Sequence, residues 1–444
     1  MKNLMKRVVL LILVMVLAIP SSTMMAVKAS SKNITIGEYI ELLMKAMKVT
    51  INETENQTYI TAAVSTGVLK TVDEFKVEEE MTRTECAVLT NRADIYVNGV
   101  TSDTKIFDEI RDHKRISDLS KISKEYREDV VQAFGKGIIV GYTNGKYTQD
   151  RAFKGSNKIT YSGAKTVIKK ITNKKLRSIM SPDGQLTRTT NLPCNAKEYE
   201  YILASFPNKF YEMKFQFELG NRNTKYIEFN DYCIPVRMKK MPFVISGYEG
   251  TAKETQEMIN KYLDDWVEKI EKNLYYRFNV NYKTINSKWI NNFRNTYCVY
   301  KNEDLNNDTE DGIKKYVKEM KKNKVIIKTQ KISVEPSTLY YSQGKTYIRC
   351  YVKFSVTSAS SLADTLVYNK MYKANFIGLQ LNKWHEGYYD ISVGVNNGSS
   401  FGDDWAVFGE FINDYFTQMK AKVMVQKFNK KGNSYFPNGY YYWK

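Results

Sequence analysis

Apolar residues at positions 40, 43, 44 and 47 recur at helical spacing just behind Thr35 and Glu38, so the pattern predicts an amphipathic helix starting near Thr35. Thr35 and Glu38 carry the signature of a capping box, in which each side chain satisfies a backbone amide left over at the helix start. The device returns at Met81-Thr82-Arg83-Thr84-Glu85, ahead of Cys86, Val88 and Leu89. A third start, Ile159-Thr160, leads into Ala164, Val167, Ile168 and Ile171. Before the second and third starts runs a helix stopped by glycine, Tyr59 to Gly67 and Tyr126 to Gly137, as a left-handed C-cap requires. Three threonine-started helices with two glycine-stopped ones between them form an internal repeat over residues 30–172, about two and a half degenerate copies.

From residue 173 to 197 the periodicity lapses around Ser181-Pro182-Asp183-Gly184, which reads as a linker. Residues 198–444 mix two periods. Tyr211, Met213, Phe215, Phe217 and Leu219 alternate like a half-buried strand. Ile259, Tyr262, Leu263, Trp266, Ile270 and Leu274 line one face of a long helix from about 252 to 276, and a further helix is expected over 311–322. Strand patterns follow at 324–335, at Ile348, Cys350, Val352, Phe354 and Val356, at Ile377, Leu379 and Leu381, and at Tyr389, Ile391 and Val393. A last helix is expected after Asp403 or Asp404, carrying Trp405, Phe408, Ile412, Tyr415 and Phe416. Helices grouped apart from successive strands predict an α+β domain with an antiparallel sheet, which could curve around the 252–276 helix.

In residues 33–172 the ordered parts resemble the S-layer homology repeat. Met81-Thr82-Arg83-Thr84-Glu85 is similar to that family's Ile-Thr-Arg-Ala-Glu helix start, and Asp118, Gly137-Ile138-Ile139 and Gly141-Tyr142-Thr143-Asn144-Gly145 follow in the family's order. The first copy has Ile36 in place of the arginine; the third has Tyr161 there and Gly163 in place of the glutamate. The resemblance covers about a third of the chain. It implies an all-α, pseudo-threefold helical bundle that docks on an anionic secondary cell wall polysaccharide at a Gram-positive-type cell surface. By the same resemblance Arg83 holds an acidic sugar in a groove, framed by Thr82 and Glu85, while Asp118, Gly141 and Tyr142 shape it. A guanidinium beside a helix N-terminus suits a carboxylate on physical grounds as well.

The compartment agrees with that expectation. Lys2, Lys6 and Arg7 precede an apolar run from Val8 to Ile19, then Pro20 and small residues up to Ala29, the layout of a secretory signal occupying residues 1–29. The run is shorter than the roughly 20 residues a bilayer span needs, so no transmembrane segment is expected in the mature chain. No cysteine follows the signal before Cys86, which disfavours a lipoprotein. Without Lys2, Lys6, Arg7 and Lys28 the formal charge falls from +19 to +15. Such a surplus attracts anionic partners, and for an exported chain these are wall polymers or lipids rather than nucleic acid.

Candidate chemistry is sparse. The two histidines, His113 and His385, have no partner at metal-ligand or triad spacing, and the five cysteines include no CxxC pair. His385 reads as a turn residue and Cys86 as a small buried hydrophobe. Cys194, Cys233, Cys298 and Cys350 leave two disulfides open. No cofactor or metal is implied. The alternative to a tethered binding protein is a polysaccharide hydrolase in residues 198–444, with a carboxylate pair drawn from Asp264, Asp265, Glu386, Asp403, Asp404 and Glu410 that spacing alone does not select.

Overall fold

The computed structural model describes residues 32–52, 57–212, 234–235, 252–297, 303–342, 345–362, 366–367, 379–395, 405–407, 414–416, 427–428 and 434–435. The signal segment, Cys233, Cys298, Ile377, Asp403, Asp404 and Glu410 lie outside them. The chain divides into two units, Met1–Asn144 with Asp150–Leu186, and Gly145–Gln149 with Thr187–Lys444.

The first unit holds helices α1 (Ile36–Ala46), α2 (Tyr59–Ser65), α3 (Arg83–Asn98), α4 (Lys105–Asp112), α5 (Arg127–Gly135) and α6 (Tyr161–Thr172). Full capping boxes start α1 at Thr35 and α3 at Thr82; Thr160 caps α6 through the Gly163 amide. Thr58 and Thr61 form another box on α2, a start that the sequence reading passed over because no glutamate marks it. Gly67 and Gly137 follow α2 and α5 at φ +73° and +67°. α3 is the central helix: its buried Cys86, Ala87, Leu89 and Ala93 pack among α1, α5 and α6.

The three threonine starts meet. The residue before each threonine gives its N–H to the carbonyl of the next in a closed ring: Ile34 to Ile159 at 3.0 Å, Ile159 to Met81 at 3.0 Å, and Met81 to Ile34 at 2.8 Å. Three chain segments far apart in sequence thus satisfy one another's backbone groups in a buried place where water cannot.

The stretch read as a linker is packed. Ser181, Asp183 and Gln185 are buried. Asp183 pairs with Arg115 at 2.8 Å and also accepts from Ser181 Oγ and Gln185 Nε2. A loop without periodicity can still be fixed when a buried carboxylate collects that many donors.

The second unit contains α7 (Asn208–Glu212), α8 (Ala252–Phe278), α9 (Ser287–Arg294) and α10 (Glu303–Lys322). Its main strands are β5 (Ile326–Ser342), β6 (Lys345–Ser358) and β7 (Trp384–Val395). Short β3 (Ile234–Pro235) and β4 (Val280–Asn281) pair with β5, and β8 (Trp405–Val407) and β9 (Asp414–Phe416) with β7, every pairing antiparallel. The first unit's β1 (Tyr142–Thr143) and β2 (Arg151–Ala152) make a separate small ladder. The α+β arrangement is therefore present.

Alternation places Ile348, Cys350, Val352, Phe354 and Val356 on the β6 face against α8, where Phe278 meets Phe354 at 4.8 Å and Tyr389 at 5.5 Å. The opposite face carries Tyr347, Tyr351 and Tyr388, covered by Tyr199 to Tyr211 and by Tyr147. Two corrections follow. Trp405–Val407 and Asp414–Phe416 are strands, not parts of one helix: both find open backbone on β7, a long-range pairing that overrides a local 3.6-residue spacing. Tyr211 lies in α7, not on a strand; its ring is buried among Tyr199, Phe206 and Phe210.

Candidate functional site

Arg83 is the first residue of α3, and its surroundings decide what it can do. Its Nε donates to the Phe153 carbonyl at 2.8 Å and its Nη2 to the Val140 carbonyl at 3.0 Å. The guanidinium lies 4.7 Å from the Tyr142 ring centre and 5.0 Å from that of Phe153. Arg83 is half-buried, and it ties α3 to the segments that flank β1 and β2. The helix-start amides are engaged as well. Arg83 N–H goes to Asn157 O, Thr84 N–H to Gly155 O, and Glu85 N–H to Thr82 Oγ1.

Asp118, Gly141 and Tyr142 assemble around the same β1–β2 ladder. The Asp118 carboxylate accepts the Phe153 and Lys154 amides at 2.6 and 2.8 Å. The Gly141 carbonyl accepts two bonds from Arg151, and a Cβ on Gly141 would stand 2.9 Å from the Ala152 carbonyl, so only glycine fits. Tyr142 is 44% exposed, with Lys154 Nζ 5.0 Å from its ring centre in addition to Arg83. An exposed phenol ring held between two cations offers a flat apolar face with positive charge at its side. Five of the six residues singled out by the sequence, counting the Thr82 cap beside Arg83, therefore surround this ladder or the helix start beside it. Glu85 belongs with Thr82, whose N–H and Oγ1 its carboxylate accepts at 2.6 and 2.8 Å.

Thr82 and Glu85 also line a cleft of about 670 Å³, of which Arg83, Asp118, Gly141 and Tyr142 form no part. Its walls come from the loop before α3, the side of α3 that carries Thr84, Glu85 and Arg92, the turn leading into α5, and Gly155-Ser156 after β2. Phe75 and Tyr126 pack against each other in its wall, ring centres 5.3 Å apart. Burial, with the Asp73 and Glu125 carboxylates nearby, raises the Tyr126 pKa, so the phenol stays neutral and can donate. The sequence reading missed this cleft because its residues come from three loops and one helix with no shared period.

Among the described residues of the second unit the nominated chemistry does not converge. Asp265 is exposed on α8, and Glu386 lies 3.9 Å from Lys353 across the β6–β7 ladder. His385 is a strand residue rather than a turn residue, buried on β7 opposite Phe354. The buried charges there form a structural set: Arg349 holds Asp390 at 2.8 and 3.1 Å and donates to the Phe210 carbonyl. Among the described residues no group of His, Cys, Asp and Glu could hold a metal ion, and no helix is long and apolar enough to cross a membrane.

Compared with known proteins, the chain matches no family model and no curated protein.

Proposed function

We propose that this is an exported protein whose first unit is a degenerate, pseudo-threefold S-layer-homology-like module docking on an anionic wall polysaccharide, while the second unit is the part displayed. The observation that carries the reading is the closed ring of hydrogen bonds among Ile34, Ile159 and Met81, positions that are equivalent in a threefold repeat. In this reading Arg83 is the organiser of the contact surface. It braces Tyr142, and the exposed ring with Lys154 beside it meets the acidic sugar. The +15 charge of the chain without its signal strengthens the encounter and makes it salt-sensitive.

The test is sedimentation of the mature chain with purified Gram-positive walls, before and after chemical removal of the secondary polymer. Retention should fall several-fold on stripped walls and with rising salt. Equal retention on both preparations would overturn the reading. Tyr142→Ala should lower retention, and Lys154→Gln should lower it further.

A further inference from the structure

The cleft between the loop before α3 and the turn before α5 has a lining unlike the Tyr142 surface. Its volume of about 670 Å³ falls within the span of small-molecule sites. Phe75 and Tyr126 supply half-buried aromatic faces, and the Thr84, Ser123 and Ser156 hydroxyls supply short polar groups on the same walls. Within the lining Arg92 and Asp73 cancel, paired at 2.5 Å, and Asp129 outside it also holds Arg92 at 3.2 Å. The remaining charges are Glu74, Glu85 and Glu125 against Lys70 and Lys121, one more negative than positive.

We infer that this cleft binds an amino sugar bearing a free ammonium group, at a second subsite distinct from the surface at Tyr142. The ring would lie on Phe75 and Tyr126, its hydroxyls would meet Thr84, Ser123 and Ser156, and its ammonium would meet exposed Glu74 and Glu125. A carboxylate and an ammonium bond more strongly than neutral groups do. A uronic acid, by contrast, would meet a lining with one more negative than positive charge. The inference rests on the wall-polymer reading only for the source of the sugar. The cleft's own chemistry selects the class.

Calorimetric titration of the full mature chain checks it, with three probes at pH 6: the β-1,4-glucosamine tetramer, its fully N-acetylated form, and tetragalacturonate. Saturable binding of the glucosamine tetramer is expected, with about tenfold weaker binding of the acetylated form, the loss that one charge-assisted contact represents. Tetragalacturonate should not compete. Glu125→Gln on the exposed rim should weaken the glucosamine tetramer about tenfold, and Phe75→Leu should weaken it while the melting temperature stays close to that of the parent. Tighter binding of the uronate, or glucosamine binding unmoved by Glu125→Gln, overturns the inference. Wall sedimentation run in parallel separates the two ideas: walls that retain a chain indifferent to the tetramer sink the cleft alone, and tetramer binding without wall retention sinks the wall reading alone.

Discussion

Arg83 makes two carbonyl hydrogen bonds and two ring contacts in the folded chain, so its removal should register as stability before it registers as binding. Each net hydrogen bond is worth about 1 kcal/mol and an exposed cation–ring contact about 0.5–1 kcal/mol. Arg83→Ala should therefore cost the first unit about 3–4 kcal/mol in chemical denaturation followed by circular dichroism; a loss below about 0.5 kcal/mol would mean the bracing is idle. The buried thiol of Cys86 makes a second residue-scale expectation. Burial pushes its pKa up to about 11, and the thiolate is the reactive form. Iodoacetamide at pH 8 should spare Cys86 in the native chain and label exposed Cys194, as read by mass spectrometry. His385 carries a pH dependence. Burial lowers its pKa below the ordinary 6.5, and its Nδ1 has no partner among the described residues. The unfolded chain takes up this proton first, so the second unit should hold full stability above about pH 6.5 and lose it as pH falls from there toward the lower folded value. His385→Gln should flatten that slope.

Helix stops show how differently two glycines of one pattern can behave. Gly67 and Gly137 both occupy the left-handed region after a helix, at φ +73° and +67°. A Cβ on Gly67 would meet nothing within 4 Å, whereas on Gly137 it would lie 1.9 Å from the Ser178 carbonyl. Gly67→Ala should cost about 1 kcal/mol, the left-handed penalty alone. Gly137→Ala must also push the backbone at Ser178 aside, and a cost at least twice as large is expected in the same denaturation assay. The sequence announced both stops, and it announced the capping boxes at Thr35 and Thr82, α8 and the β6 alternation, because each is a local pattern read within a turn or a strand. It did not announce the Ser178 contact, the Arg115–Asp183 pair, or β8 and β9. Those depend on which distant backbone a segment meets, and Trp405–Val407 and Asp414–Phe416 fit a helical period while they pair with β7. The site divides the same way. Arg83 and Tyr142 are visible as motif positions, but the cleft beside Phe75 and Tyr126 arises only when three loops are brought together on α3.

At the scale of the molecule, one short piece of chain belongs to a different unit from its neighbours in sequence. Gly145–Gln149 connects β1 to β2 of the first unit, yet it is part of the second. Tyr147 holds φ at +58°, a conformation that costs a bulky residue about 1 kcal/mol or more. What offsets it is burial: the ring stacks on Tyr351 at 3.7 Å with 8° between planes, the hydroxyl bonds to that of Tyr388, and the backbone N–H donates to the Ser205 carbonyl at 2.8 Å. All five tryptophans, Trp266, Trp289, Trp384, Trp405 and Trp443, fall in the second unit, so their fluorescence reports on it alone. Tyr147→Ala removes an aromatic side chain from that unit's core, a change worth about 3–5 kcal/mol, and should shift the fluorescence-detected unfolding midpoint down sharply. Tyr147→Phe keeps the stack and loses the hydroxyl pair, for about 1 kcal/mol. Arg83→Ala, 64 positions earlier in the first unit, should leave the fluorescence midpoint in place while moving the circular dichroism one. If Tyr147→Ala moved only the circular dichroism transition, residue 147 would belong energetically with the repeats that surround it in sequence, and the division of the chain at Gly145 and Gln149 would be wrong.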